Sequence, residues 1–256
     1  MHVSIVIPTK NEELYLPLLL ASLRGQTYQG FEVIVADAHS TDRTREIACE
    51  AGAKVIDGGM PGPGRNRGAE VAKGEVIFFC DADVVMPHPC FLQDALVELT
   101  ARELDVAGFP LTVQNGTLLD HAFHGAYNKY TYATERALPH AVGSCMVARR
   151  STHMAIGGFD ETVVFAEDHD YIRRADKAGF NVGILRSHKI AVSPRRYRKE
   201  GLVRTAMKFV WSEAAILLHG PFRQMPFTYE FGNFKAQAHS TATLTAKQNK
   251  KQKTRS

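Results

Sequence analysis

Val76-Ile77-Phe78-Phe79-Cys80-Asp81-Ala82-Asp83 is the stretch on which the fold reading turns. Five apolar residues without a polar break, two of them aromatic, read as a strand buried on both faces of a parallel sheet. Open α/β sheets collect ligands where the carboxyl ends of their strands emerge. Two carboxylates one residue apart at such an end can face a single divalent cation and the phosphates it bridges. Hard cations such as Mg²⁺ and Mn²⁺ are held by one or two carboxylates plus phosphate oxygens. Asp-x-Asp by itself is a common coincidence, and two turn residues capping the next helix are the plain alternative. Its place at the end of a buried strand is what gives it weight.

Working outward, the residues before this strand alternate between two periodicities. Val3–Pro8 is a short apolar strand, and Leu16, Leu19, Leu20 and Leu23 fall on one helical face closed by Gly25. Phe31–Ala36 is a second strand, and Ser40 is placed to cap a helix carrying Ile47, Ala48 and Ala51. Lys54–Ile56 is a third strand. A Gly- and Pro-rich loop from Asp57 through Gly64 precedes a helix around Asn66–Lys73, stopped by Gly74. Successive strand–helix units predict a parallel sheet with crossover connections.

Past Asp83 the rhythm loosens. Phe91–Leu104 and Leu118–Tyr132 are expected to be helical, Val106–Val113 extended, Gly143–Ala148 a strand, and Glu167–Lys177 a charged helix. Residues 201–219 form an amphipathic helix with Val203, Ala206, Met207, Val210, Ala214, Leu217 and Leu218 on its apolar face. Arg204, Lys208, Ser212 and Glu213 lie largely off that face. From Gln237 onward large apolar residues are few, the composition of a disordered tail. The expected division is a domain over 1–200, a helical extension over 201–236 and a basic tail over 237–256.

The 256 residues suffice for a full core, with 45% hydrophobic and 23% charged residues. The net charge of +4 misleads. Without Lys247, Lys250, Lys251, Lys253 and Arg255, residues 1–246 carry −1. A near-neutral body with a basic tail argues against a nucleic-acid-binding domain. The four cysteines, Cys49, Cys80, Cys90 and Cys145, show no paired spacing, which fits a reducing, cytoplasmic compartment. Charges at Lys10, Glu12 and Glu13 leave residues 3–8 too short for a signal-peptide core, and no run of 18 apolar residues exists to span a membrane.

The motifs as a set resemble family 2 glycosyltransferases, which have the GT-A fold. The resemblance is carried by Ser4-Ile5-Val6-Ile7-Pro8-Thr9-Lys10-Asn11-Glu12, then Val33-Ile34-Val35-Ala36-Asp37 and Ser40-Thr41-Asp42. It continues through Arg65-Asn66-Arg67-Gly68, Gly74-Glu75, Asp81-Ala82-Asp83, Gly157-Gly158-Phe159-Asp160-Glu161 and Glu167-Asp168. It spans about residues 3–200, and its specificity lies in the order of the motifs. The fold class it implies is α/β: a Rossmann-like, mostly parallel sheet flanked by helices, with a C-terminal helical extension.

The resemblance implies a nucleotide-diphosphate sugar as donor, a hydroxyl-bearing acceptor, and Mg²⁺ or Mn²⁺ as cofactor. Pro8 and Thr9, where the first strand ends, would line the nucleotide pocket together with Asn11 and Glu12. Asp37 would bond the base or ribose. Many relatives carry a second acid beside it where this chain has Ala38, so UDP stays first choice with GDP open. Asp83 would ligate the metal, and Asp81 would be shared between metal and ribose. His188 is where some GT-A enzymes place a third ligand, although a lone histidine is more often structural. Asp168 would be the general base that takes the acceptor's proton in an inverting displacement, with Arg174 pairing back onto the acidic cluster. An acidic helix N-terminus is the plainer reading of Glu167 and Asp168.

Other residues carry readings of their own. Arg65 or Arg67, ringed by Gly58, Gly59, Gly62 and Gly64, suits bidentate phosphate contact. Asn66 reads as a cap or base contact. Arg195 and Arg196, in Ser193-Pro194-Arg195-Arg196, would close over the diphosphate or form a solvated basic loop. His121, His124, Tyr127, Tyr130 and Tyr132 lie in the segment that forms the acceptor side in relatives, or else pack in the core. The helix at 201–219 would pack on the domain core or pair two copies through 201–236; alternatively, with its basic tail, it would touch a membrane surface peripherally, consistent with a lipid-linked or envelope acceptor. The rivals are a retaining GT-A enzyme, which needs no base at Asp168, and a non-catalytic nucleotide-binding module. A dinucleotide-binding oxidoreductase is disfavoured, since no G-x-G-x-x-G follows the first strand.

Overall fold

A computed structural model describes residues 1–59, 61–139 and 143–224, without the side chains of several residues between 196 and 219. Its elements run β1 (Val3–Thr9), α1 (Leu16–Arg24), β2 (Phe31–Asp37), α2 (Thr44–Glu50), β3 (Lys54–Asp57), α3 (Pro61–Glu70), β4 (Val76–Cys80) and β5 (Val84–Val85). They continue through α4 (Phe91–Ala101), β6 (Val106–Gly108), β7 (Leu111–Val113), α5 (Leu118–Thr134), β8 (Cys145–Arg149), α6 (Arg150–Ala155) and α7 (Glu167–Lys177). The last are β9 (Val182–Ile184), β10 (Ile190–Val192), α8 (Arg195–Glu200) and α9 (Leu202–His219).

A seven-stranded sheet has the order β3-β2-β1-β4-β8-β6-β9, and a three-stranded sheet the order β5-β10-β7. β3, β2, β1 and β4 are parallel, as the strand–helix alternation predicts. β8 runs antiparallel to both β4 and β6. The apolar run at 76–80 is buried throughout, because the sheet is covered on both faces. Ile5, Ile7, Phe78 and Cys80 join α1 and α4 in one core cluster. Val6, Ile77 and Phe79 join Phe159, Tyr171 and Ile172 in another. The chain leaves β1 toward β2 on one side and returns to β4 on the other. The crevice between the ends of β1 and β4 is therefore the topological switch point where such sheets take ligands.

Three local expectations need correction. α3 begins at Pro61, inside the stretch read as loop, because a proline near a helix start is pre-organised for it. A Cβ on Gly68 would stand 2.2 Å from Val6 Cγ1, so its glycine lets α3 lie directly on β1. Ser40 does not cap α2. Its Oγ donates to Asp37, and the Thr44 N–H at the helix start goes to Asp42 Oδ1 at 3.0 Å, one residue before the N-cap position at Arg43. The extended run at 106–113 breaks at Phe109-Pro110 into β6 and β7, which belong to different sheets.

The buried side of α9 differs from the expected apolar face. Thr205, Ser212 and Ile216 point inward, whereas Met207, Trp211 and Leu218 share the opposite, exposed face. The side chains of Val203, Ala206, Phe209, Val210, Glu213, Ala214 and Leu217 lie outside the described residues, as does the segment from Gln237 onward.

Candidate active site

β1 and β2 are in register from Val3 opposite Phe31 to Thr9 opposite Asp37. Thr9 Oγ1 therefore donates to Asp37 Oδ2 at 2.9 Å. Ser40 adds its N–H to Oδ1 at 2.9 Å and its Oγ–H to Oδ2, and Arg45 reaches Oδ1 at 3.3 Å. Burial works against the charge of Asp37, but these bonds outweigh it and hold the carboxyl below its ordinary value. A carboxylate offers about four lone-pair sites, and the protein itself fills them. Asp37 stands beside Thr9 at the strand ends, where a base- or ribose-binding residue was expected, but its carboxylate organises the crevice wall. Asn11 does similar work: its N–H donates to Ser40 Oγ at 2.8 Å and its Oδ1 accepts the Thr41 N–H at 2.9 Å. Pro8, half-buried, precedes Thr9 at the same rim.

The carboxyl end of β4 delivers Asp81 and Asp83 to the crevice, with the Asp81 N–H fixed on Ser144 O at 2.9 Å. Two arginines reach into this acidic ground. Arg195 donates to both Glu12 oxygens at 2.8 Å and through Nε to Asp83 Oδ2 at 3.0 Å, with its guanidinium over the Tyr15 ring. It enters the crevice against the carboxylate expected to ligate metal. The side chain of Arg196 lies outside the described residues.

Arg65 is placed differently from the diphosphate contact expected of it. Its side chain is 2% exposed, below the site, donating to Asp81 Oδ1 at 2.8 Å, Glu167 Oε1 at 2.5 Å and Gly143 O at 3.0 Å. Deep burial suits an internal tie between the strand-end acids and the start of α7. Arg67 turns away to Gly58 O. Asn66 clasps the 157–161 loop, giving Nδ2–H to Phe159 O and Glu161 and taking the Phe159 N–H on Oδ1 at 2.8 Å. Arg174 pairs with Asp170 at 2.6 Å and donates to the Ile156 and Gly158 carbonyls, so it braces α7 against the same loop.

Asp168 is buried in the first turn of α7, and burial raises its carboxyl above the ordinary value. A Cβ at Gly143 would come within 3.1 Å of Asp168 Oδ2 and 3.5 Å of Arg65 Nη2. Glycine at 143 thus lets the backbone approach the Asp168 carboxylate and the Arg65 guanidinium closely, a role nothing in the residue pattern signals. Burial, strengthened by Asp83 and Glu167, pushes Asp81 up to about 6 despite Arg65. Glu12 is pushed by burial to about 7 despite Arg195.

His188 is not brought to these acids. β10 pairs antiparallel with β5, so residue 188 lies opposite residue 88, at the far end of the ribbon from Asp83. There its Nε2 bonds Asp94 at 2.6 Å and its ring stacks on His88. On the acceptor side burial keeps the His124 imidazole below its ordinary value even though the ring bonds Asp120 O, and Tyr130 is exposed.

Glu12, Asp81, Asp83, Glu167 and Asp168 thus share two guanidinium groups, Arg65 and Arg195. An oxygen-only donor set with surplus negative charge fits a hard divalent cation. Asp83 and Asp81 are the residues that would hold it, and once bound it would neutralise a leaving diphosphate as a Lewis acid.

The sequence model of glycosyl transferase family 2 matches residues 4–157, and the chain belongs to that family. It is 37% identical over 110 residues to the 4,4'-diaponeurosporenoate glycosyltransferase of Staphylococcus haemolyticus, covering 40% of this chain and 29% of that relative's length. Among solved structures it is similar to the mannosyltransferase PcManGT from Pyrobaculum calidifontis in complex with GDP-Man and Mn²⁺. That likeness has a TM-score of 0.64 at 20% identity and covers 86% of this chain and 68% of the other. S. aureus TarS 1–349 in complex with UDP-GlcNAc gives a TM-score of 0.59 at 24% identity, covering 75% and 58%. The fold is the GT-A fold.

Proposed function

We propose that this chain is a metal-dependent, inverting glycosyltransferase that moves a sugar from a nucleotide-diphosphate sugar, a UDP-sugar first, to a hydroxyl acceptor. The observation that carries the reading is the junction at Arg65. One buried guanidinium ties Asp81, at the donor end of β4, to Glu167, the neighbour of Asp168. Asp81 and Asp83 face the diphosphate, and Asp168 receives the acceptor proton. A base whose carboxyl is raised by burial is better matched to that work than an exposed aspartate. Arg195 contacts the diphosphate once the donor is seated, because a guanidinium already aligned on two carboxylates suits phosphate oxygens equally well. The bound ligands of two structural neighbours, UDP-GlcNAc in one and GDP-Man in the other, support a nucleotide sugar and leave the base open between uracil and guanine.

Thermal shift across UDP- and GDP-sugars, with and without Mn²⁺, tests donor and metal together, since a ligand of the native state raises Tm. NMR of the product's anomeric centre tests inversion; retention would remove the base role from Asp168.

The acceptor side of the proposal is glycolipid, cell-envelope or polysaccharide synthesis with peripheral contact to a membrane. Met207, Trp211 and Leu218 form an exposed apolar stripe along α9, with Arg204 exposed beside them. No helix among the described residues is long and apolar enough to cross a membrane. Flotation with anionic liposomes at low and high salt distinguishes surface binding from pairing of two copies through the same helix.

A further inference from the structure

His188 leads to a second cluster, remote from the carboxylates of the donor site. The turn after β5 and the first turn of α4 present His88, Cys90 and Asp94, each with a ligating atom within 4.8 Å of the others. The segment after α1 and the start of α4 fix this turn before anything binds. Gln26 Nε2–H donates to His88 O at 3.0 Å and its Oε1 accepts the Leu92 N–H at 3.0 Å. The Thr27 N–H donates to Pro89 O at 2.8 Å. Asp94, in the first turn of α4, gives its N–H to Cys90 O at 2.9 Å. His88 Nδ1 accepts the Cys90 N–H at 3.2 Å, a long bond that a stronger ligand of that nitrogen would displace. His188 Nε2 lies 2.6 Å from Asp94 Oδ2 across the ribbon, its ring 4.3 Å from that of His88.

We propose that His88, Cys90 and Asp94 form a binding site for a borderline-soft transition-metal ion of the Zn²⁺ class, with His188 as the residue that orients Asp94. Imidazole nitrogen, thiolate sulfur and carboxylate oxygen are the donor types Zn²⁺ takes, and three protein ligands leave one tetrahedral position for water. The thiolate selects against Mg²⁺ and Mn²⁺, the hard cations suited to Asp81 and Asp83, so the two sites would sort metals by ligand softness. Cys90 gives up its thiol proton to the solvent as the metal–sulfur bond forms. Ligating carboxylates in such centres are themselves hydrogen-bonded from the outer shell, and His188 supplies that bond to Asp94. Occupancy would pin one end of the β5–β10 ribbon, whose other end carries Asp83 and Arg195.

Cobalt serves as the probe, because a thiolate ligand gives Co²⁺ a charge-transfer absorption that oxygen ligands do not. Chelator-treated full-length protein titrated with Co²⁺ is expected to develop that band at one equivalent and to lose it when Zn²⁺ is added. The band should persist in Cys49→Ser, whose exposed thiol is the other accessible one among the described residues, and in Asp83→Ala. It should vanish in Cys90→Ser, and His88→Ala, at an exposed position, should weaken binding at least tenfold. His188→Ala should weaken it by about 10–100-fold while keeping the band. A wild-type protein without the band overturns the proposal and leaves His188–Asp94 as an ion pair. Survival of the band in Cys90→Ser, or unchanged affinity in His88→Ala, overturns it as well.

Discussion

At the β9 edge of the sheet, Glu98 and Glu135 share Arg102 and Arg186; at the ends of β1 and β4, Glu12, Asp81 and Asp83 share Arg65 and Arg195. The residue types are the same and the electrostatic outcome is opposite. Glu98 takes backbone N–H bonds from Arg186 and Ser187 and a guanidinium bond from Arg102 at 2.8 Å. Glu135 takes the Ile184 N–H at 2.7 Å together with Arg102 and Arg186. Burial raises both carboxyls, but these donors more than offset it and hold them below the ordinary value. In the crevice burial wins, and Asp81 and Glu12 are raised. The weaker burial penalty at the edge and its backbone donors together make the difference. The edge network is complete within the protein, whereas the crevice gathers acids faster than it supplies partners, as a site for an external cation must.

Asp83→Ala puts that contrast under the greatest strain. It is expected to abolish Mn²⁺-dependent donor binding while the fold persists, since Arg195 keeps its bidentate hold on Glu12. Calorimetry with nucleotide sugar and Mn²⁺ checks this, and unchanged binding removes the metal from Asp83. Next, Asp168→Asn keeps shape and removes basicity, so transfer should slow by roughly 10²–10⁴ with donor affinity retained. Steady-state kinetics within a few-fold of wild type would pass the base role elsewhere.

Two matched variants compare the networks directly. Arg65→Met strips a buried guanidinium from Asp81 and Glu167 and should cost about 3–5 kcal/mol. Arg102→Met, at a side chain 32% exposed, should cost about 1 kcal/mol. Urea denaturation gives both values, and equal losses would erase the distinction between site and scaffold.

The smallest effect is with pH. Between pH 8 and pH 5.5 Glu12 and Asp81 take up protons, because their values near 7 and 6 fall inside that window. A protonated carboxyl attracts a cation less, so Mn²⁺ should bind on the order of tenfold more weakly at the lower pH. Glu98 and Glu135, whose folded values lie below their ordinary 4.5, stay ionised throughout. Their stabilisation is complete above the ordinary value and is lost only as pH falls through the depressed ones. The cost of Arg102→Met should therefore be the same at pH 8 and pH 5.5, whereas Mn²⁺ affinity should not.

The run 76–80 could be read as a buried strand because burial on both faces leaves no position for a polar residue. α7 was legible at both ends, since a charged helix with acids first and bases last follows its own dipole. The start of α3 was not, because Gly-Pro-Gly looks like a loop until a strand lies close enough to require glycine at position 68.

The sequence by itself determined the strand–helix alternation, the family and the acids at the strand ends, since these depend on local periodicity and on motifs a few residues long. Tertiary structure decided what the charged side chains do. Arg65 meets partners 16 and 102 residues away, Arg195 one 183 residues away, and His188 one 94 residues away. A charge's role follows from the depth at which it is held and from which opposite charges the fold brings within about 3 Å. Neither quantity is written in the residues beside it.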